Sequence, residues 1–215
     1  MDLSDDTDLP LEDEDFMHLL EQIKANLAPA DEEDDSEEEP EIDPRTIADP
    51  QERFLYAAEK NHLDLVRAML DANPNLIHTR DSPDNYSALH RAAYNNHVEV
   101  LRELIRRGGD VNARTLEGRT PLHSACFWNC LDAARVLLEN GADINAQSMN
   151  GLTPLHLAAS RKDARDLVAL LLATPGVDPS IQSSAGEYAS EIARRSGPFY
   201  DLFNGGDCAE MQDAS

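Results

Sequence analysis

The chain has 215 residues, only three cysteines and a formal net charge of −24 at pH 7. No run of about 18 or more apolar residues occurs, so no membrane-spanning helix is expected, and an acidic start without an apolar core argues against a secretory signal. The sign of the charge opposes direct binding to nucleic-acid phosphates, and cysteines without framework spacing suit a reducing compartment.

The charge is unevenly placed. Residues 1–50 carry 20 acidic and 2 basic side chains, a net of −18, whereas the other 165 residues net −6. With prolines at Pro29, Pro40, Pro44 and Pro50, such a segment cannot bury enough apolar area to offset its ordering entropy. Residues 1–49 are therefore expected to form a largely disordered acidic tail. Within it, Phe16, Leu19, Leu20, Ile23 and Leu27 fall on one helical stripe, which predicts a short helix over 14–27. Two readings stay open for it. The helix docks on the chain's own folded part or forms only transiently, or it is a ligand for a groove in another protein. Ser36, followed by Glu37-Glu38-Glu39, stands where acidophilic kinases phosphorylate, which would add about −1.5 to −2 charges.

Beyond the tail the same sentence is written several times. Phe54, Ala57 and Ala58, then Leu63, Val66, Met69 and Leu70, keep a two-helix pattern over residues 50–84. Three full copies follow, over 85–117, 118–150 and 151–185. They open on Ser87-Ala88-Leu89-His90, Thr120-Pro121-Leu122-His123 and Thr153-Pro154-Leu155-His156, each followed after one residue by a small pair. In the central copy Thr120 is an N-cap and Pro121 the first helical residue. Leu122, Ala125 and Cys126 share one face. Asn129 ends this helix in a left-handed turn, and Leu131, Ala134, Leu137 and Leu138 line a second helix that Gly141 closes. The fourth unit stretches its period to 35 residues (Ala158 to Ala193), which predicts two extra residues in its turns. A truncated unit over 186–206 carries Ala189, Ile192 and Ala193, then Phe199, Tyr200, Leu202 and Phe203, and residues 207–215 form a short C-terminal tail.

A 33-residue period with T-P-L-H-x-A marks stacked helical pairs, and residues 50–206 resemble the ankyrin-repeat family. The resemblance implies an all-α solenoid of three full repeats between two degenerate caps. It also implies that His90, His123 and His156 hydrogen-bond within and between neighbouring turns. Equivalent positions in stacked units lie about 10 Å apart, too far for these histidines to share a metal bonded at about 2 Å. The H-x2-C-x3-C of His123, Cys126 and Cys130 lacks a fourth zinc ligand. No metal and no cofactor is therefore expected. The chain has no glycine-rich phosphate loop and no nucleophile elbow, and its carboxylates crowd into a tail that cannot hold a fixed geometry. An enzyme is not expected.

The expectation is instead a non-catalytic protein-interaction module, an adaptor or regulator that binds through the concave face and turns of its repeats. Residues that vary between copies while the scaffold repeats are the candidates: Arg91, Tyr94, Asn95, Phe127, Trp128 and Arg161 on the first helices, and Arg114 and Leu116 on the turns. Aromatic and arginine residues are the usual hot-spot types. The competing reading of Phe127 and Trp128 is packing over their own unit. Arg102, Arg106 and Arg107 lie on the second helix of the second unit; Arg106 and Arg107 there complement the helix dipole, and all three also suit reception of an acidic segment. The resemblance extends to an expected nuclear or cytoplasmic location, with a link to gene regulation. The partner expected is a protein, and the chain a monomer. An alternative gives the main role to the tail, as an acidic chaperone-like shield for basic proteins.

Overall fold

The computed structural model of the chain describes residues 43–197 and 199–204. The stripe Phe16 to Leu27, Ser36 and Cys208 lie outside the described residues. Among these residues secondary structure is helical, with two isolated bridges (Arg80 with Ser87, Gln182 with Tyr188) and no strand. The first described element is a short 3-10 helix, Pro44–Thr46, ahead of the expected boundary at residue 50. It is tied down by Arg53, whose Nε donates to Ile47 O at 2.8 Å.

Nine α-helices are described. They are α1 (Pro50–Glu59), α2 (Leu63–Ala72), α3 (Ala88–Tyr94), α4 (Val98–Arg106), α5 (Pro121–Phe127), α6 (Leu131–Glu139), α7 (Pro154–Ala159), α8 (Arg165–Ala173) and α9 (Ala189–Ser196). The odd-numbered helices pack side by side as one row, α1 on α3, α3 on α5, α5 on α7 and α7 on α9. The even-numbered helices form a second row against it. Small residues set this spacing. Ala57, Ala58, Ala92, Ala93, Ala125, Cys126, Ala158, Ala159 and Ala193 are all 0% exposed, so the first helices approach without an intervening side chain. Leu101, Leu104, Leu137, Leu167 and Leu171 fill the space between the rows. Each such burial stabilises by about 1.5–3 kcal/mol against the exposed state.

The turn inside each unit has a local cause. Asn61, Asn96 and Asn129 sit at φ 60°, 58° and 58°, in the left-handed region that asparagine tolerates better than most side chains. The next amide then returns to the small residue five back, His62 to Ala57 at 2.9 Å, His97 to Ala92 at 2.9 Å and Cys130 to Ala125 at 2.8 Å. The fourth unit departs from this. One of its extra residues lengthens the turn between Ala159 and Arg165, and the other precedes Gly176 (φ 90°). At the end of the stack Phe199 is fully buried, and a 3-10 helix, Tyr200–Asn204, follows.

Candidate protein interface

Two surfaces of the stack hold the candidate residues: the turns that join one unit to the next, and the far ends of the first helices. A histidine built into each repeat fixes the turns. His90 Nδ1 accepts the backbone N–H of Ser87 at 3.2 Å, and Nε2 donates to Arg119 O in the next unit at 3.1 Å. His123 links Thr120 to Leu152 O in the same way, and His156 links Thr153 to Glu187 O. An Nδ1 that accepts requires the neutral ring with its proton on Nε2. Burial pushes His90 and His123 down to about 4 and lowers His156 as well.

The turn tips are further stitched by main-chain bonds. Leu116 N–H donates to Asp84 O at 3.0 Å, Met149 N–H to Glu117 O at 2.8 Å, and Ser184 N–H to Asn150 O at 2.9 Å. Leu116 is 64% exposed and Met149, its equivalent one period on, is 76% exposed. Arg114 is exposed, but its Nη1 donates to Gly118 O at 3.1 Å and Gln147 O at 2.8 Å.

At the opposite end of the first helices, one position reads Lys60, Asn95, Trp128 and Arg161 in successive units. Asn95 Nδ2 donates back to Glu59 O at 3.1 Å, and Arg161 Nη1 to Phe127 O at 3.0 Å. Each bonds a carbonyl at the end of the preceding unit's first helix, where no intrahelical partner remains. Trp128 makes no such bond; the matching carbonyl, Tyr94 O, is met by Cys130 Sγ at 3.2 Å, just as His97 Nε2, in the same register, meets Glu59 O at 2.8 Å. Trp128 is 38% exposed and lies 5.7 Å from the Tyr94 ring and 5.3 Å, edge-on, from Phe127. Phe127 packs partly against the core, whereas Trp128 is not among the core-packed residues. Its indole N–H has no partner among the described residues.

The other sequence candidates are held within the fold. Arg91 pairs with Glu59, and with Asp81 at 2.8 Å. Asn95 also donates to Arg91 O, and Arg161 pairs with Asp163 at 3.0 Å.

On the second helices, Arg106 and Arg107 converge on the buried carboxylate of Glu103 at 2.6 and 2.9 Å, with Arg67 at 3.6 Å. The hydrogen bond from Arg106, helped by that from Arg107, holds the Glu103 carboxyl down at about 2 against the upward pull of burial. Arg106 and Arg107 thus pair within the fold, although the Arg106 side chain remains 63% exposed, and Arg102 is exposed as well. The i, i+3 and i, i+4 spacing of Glu103 to these arginines was legible and was missed. Replacing Glu103 by glutamine should lower stability at neutral pH by about 2 kcal/mol, the scale of a charge-assisted bond. The folded pKa is depressed, so this stabilisation exists above the ordinary value of 4.5 and is lost as pH falls toward 2. Urea unfolding of both proteins should show their difference shrinking across that interval.

The two thiols among the described residues, Cys126 and Cys130, are buried. Burial raises Cys126 and pushes Cys130 up to about 11, and no three His, Cys, Asp or Glu side chains among the described residues are grouped to hold a metal. No helix among the described residues is long and apolar enough to cross a membrane.

Comparison with known proteins agrees with this architecture. Profiles of ankyrin repeats match residues 54–148 (three copies) and 137–193 (many copies). Ankyrin repeat domain-containing protein 49 from Bos taurus is 57% identical over 155 residues, 72% of this chain and 65% of that protein. The protein of that name from Homo sapiens is 55% identical over 72% of this chain and 64% of its own length. The matched part thus spans slightly less than two thirds of either mammalian relative. The Drosophila melanogaster protein of the same name is 42% identical over 174 residues, 81% of this chain and 80% of its own length. The 33-residue register, the histidine links and these matches agree: the chain belongs to the ankyrin-repeat family.

Proposed function

We propose that this chain is a non-catalytic adaptor or regulator that binds a protein partner through the first helices and turns of its repeats, in the nucleus or cytoplasm and in connection with gene regulation. Ankyrin repeats are in general protein-interaction modules. The observation that carries the reading is Trp128. Where Asn95 and Arg161 secure the preceding unit, this side chain contributes no such bond. It presents an aromatic surface next to Tyr94, and its indole N–H, without a partner among the described residues, can donate to a partner's acceptor. A residue that breaks the local rule without structural gain points to a role outside the fold, and tryptophan heads the hot-spot residues.

Trp128→Ala should change folding stability by less than about 1 kcal/mol, because the side chain is partly solvated. Its partner should bind about 30-fold more weakly, the scale of a 2 kcal/mol hot spot. Proximity labelling with the full chain and with the variant, followed by titration of the proteins lost, reads both quantities. An interactome unchanged by Trp128→Ala contradicts the reading.

The net charge of −18 in residues 1–50 supports the second reading, an acidic shield for basic proteins. Such capture weakens steeply with salt, as the Debye length falls from about 10 Å at 0.1 M to about 3 Å at 1 M. Partners lost on deletion of residues 1–42 and on raising salt, yet indifferent to Trp128→Ala, would favour the shield.

A further inference from the structure

We infer that Asn150 is a site of spontaneous deamidation, and that its conversion to isoaspartate uncouples the 148–152 turn from the 183–187 turn. This stands apart from the binding reading. An asparagine followed by glycine is the sequence most open to this reaction, because no side chain on the glycine hinders approach of its nitrogen to the amide carbon. Two such pairs lie within the described residues, Asn140–Gly141 and Asn150–Gly151; a third, Asn204–Gly205, runs past them.

The two pairs differ in the state of the asparagine. Asn140 follows the last residue of α6, and its Nδ2 donates to Val136 O at 2.7 Å. Asn150 is exposed at a turn tip, and its side-chain amide makes no hydrogen bond among the described residues. The attacking nitrogens are matched, Gly141 N–H bonding Leu138 O at 3.1 Å and Gly151 N–H bonding Ser148 O at 2.9 Å. The difference in reactivity therefore lies in the side chains. Releasing the Asn140 amide costs about 1 kcal/mol, which slows its reaction about fivefold.

In the reaction Gly151 N bonds to Asn150 Cγ, the Cγ–Nδ2 bond breaks, and ammonia leaves with the proton that Gly151 N gives up. Water then opens the cyclic imide at either carbonyl, giving aspartate or isoaspartate. In the isoaspartate the former main-chain carbonyl of residue 150 becomes a free carboxylate, and a methylene enters the main chain. That carbonyl is the one that accepts Ser184 N–H at 2.9 Å. The space beside Gly151 is closed too, since a Cβ there would lie 2.8 Å from Ser184 N. The inserted methylene moves this group off the main-chain path, so the bond should be lost. Either product also places a new negative charge beside exposed Met149, in register with Glu117 and Asp84.

The test ages the full chain at neutral pH and body temperature, and in parallel in urea. Peptide mass spectrometry reads each Asn–Gly pair separately, and isoaspartyl methyltransferase labelling distinguishes the two products. In the folded protein Asn150 should convert about fivefold or more faster than Asn140, and in urea the two rates should converge. Asn150→Ser should remove its signal alone. Amide exchange at Ser184 should be about fivefold faster in aged than in fresh protein. Asn140 converting as fast as Asn150 in the folded state, or Asn150 reacting only in urea, would overturn the assignment. Unchanged exchange at Ser184 in protein rich in isoaspartate would overturn its consequence.

Discussion

Leu122→Ala should cost about 3 kcal/mol of folding stability, within the 2–5 kcal/mol seen when a large aliphatic side chain is removed from a core. Leu122 is 0% exposed on α5, the middle helix of the first row, with α3 on one side and α7 on the other. The cavity would open where two unit boundaries meet, so neither neighbour can close it alone. Repeat proteins draw their stability from such nearest-neighbour interfaces. Leu76→Ala, in the degenerate first unit and 6% exposed, should cost less. The chain has a single tryptophan, and it sits in the central unit, so its fluorescence reports that unit while circular dichroism reports every helix. If one core runs from Phe54 to Phe199, the two urea transitions should coincide in the wild-type protein. Separate transitions, or a loss below about 1 kcal/mol for Leu122→Ala, would refute a continuous core.

Acidification from about pH 7.5 to about pH 5 should destabilise the fold by about 2 kcal/mol for each of His90 and His123. The sign follows from their depressed values. Each ring ordinarily titrates at 6.5 but at about 4 when folded. The unfolded chain therefore takes up protons first, and stability present above 6.5 is progressively lost as pH falls toward 4. The structural reason is plain: a proton on Nδ1 would face the Ser87 or Thr120 N–H that this nitrogen now accepts. The approach to the pI of about 4.4 acts oppositely, since relief of self-repulsion favours the compact state. Comparison with the His90→Gln/His123→Gln protein separates the two effects. That variant should start less stable at neutral pH, yet lose about 4 kcal/mol less on acidification. Equal acid losses for variant and wild type in urea titrations would show that these rings do not carry the pH dependence.

The scaffold was legible because its causes are local. The cap of Ser87, Thr120 or Thr153, the small pair and Asn129 each act within a few residues, and the 33-residue period repeats them. Reading Asn129 as left-handed could have been extended to Asn61 and Asn96, which share its register and φ. The surface was less legible. Asn95, Arg161 and Arg114 vary between copies just as contact residues would, yet each bonds a carbonyl 33 to 36 residues away. Variation among copies does not tell a side chain that secures its neighbour from one left free. That distinction depends on how far the next unit is offset, which no short window contains. Cys130 shows the same limit. Its place in the histidine register was readable, but its bond to Tyr94 O was not.

The most direct measurement places a photo-crosslinking phenylalanine analogue at position 128 of the full chain in cells, and the same probe at exposed Arg135 on α6. Docking through the ends of the first helices predicts covalent adducts with a small, reproducible set of proteins from position 128 and few from position 135. Adducts equally abundant and equally varied from both positions, or none from position 128, would contradict it.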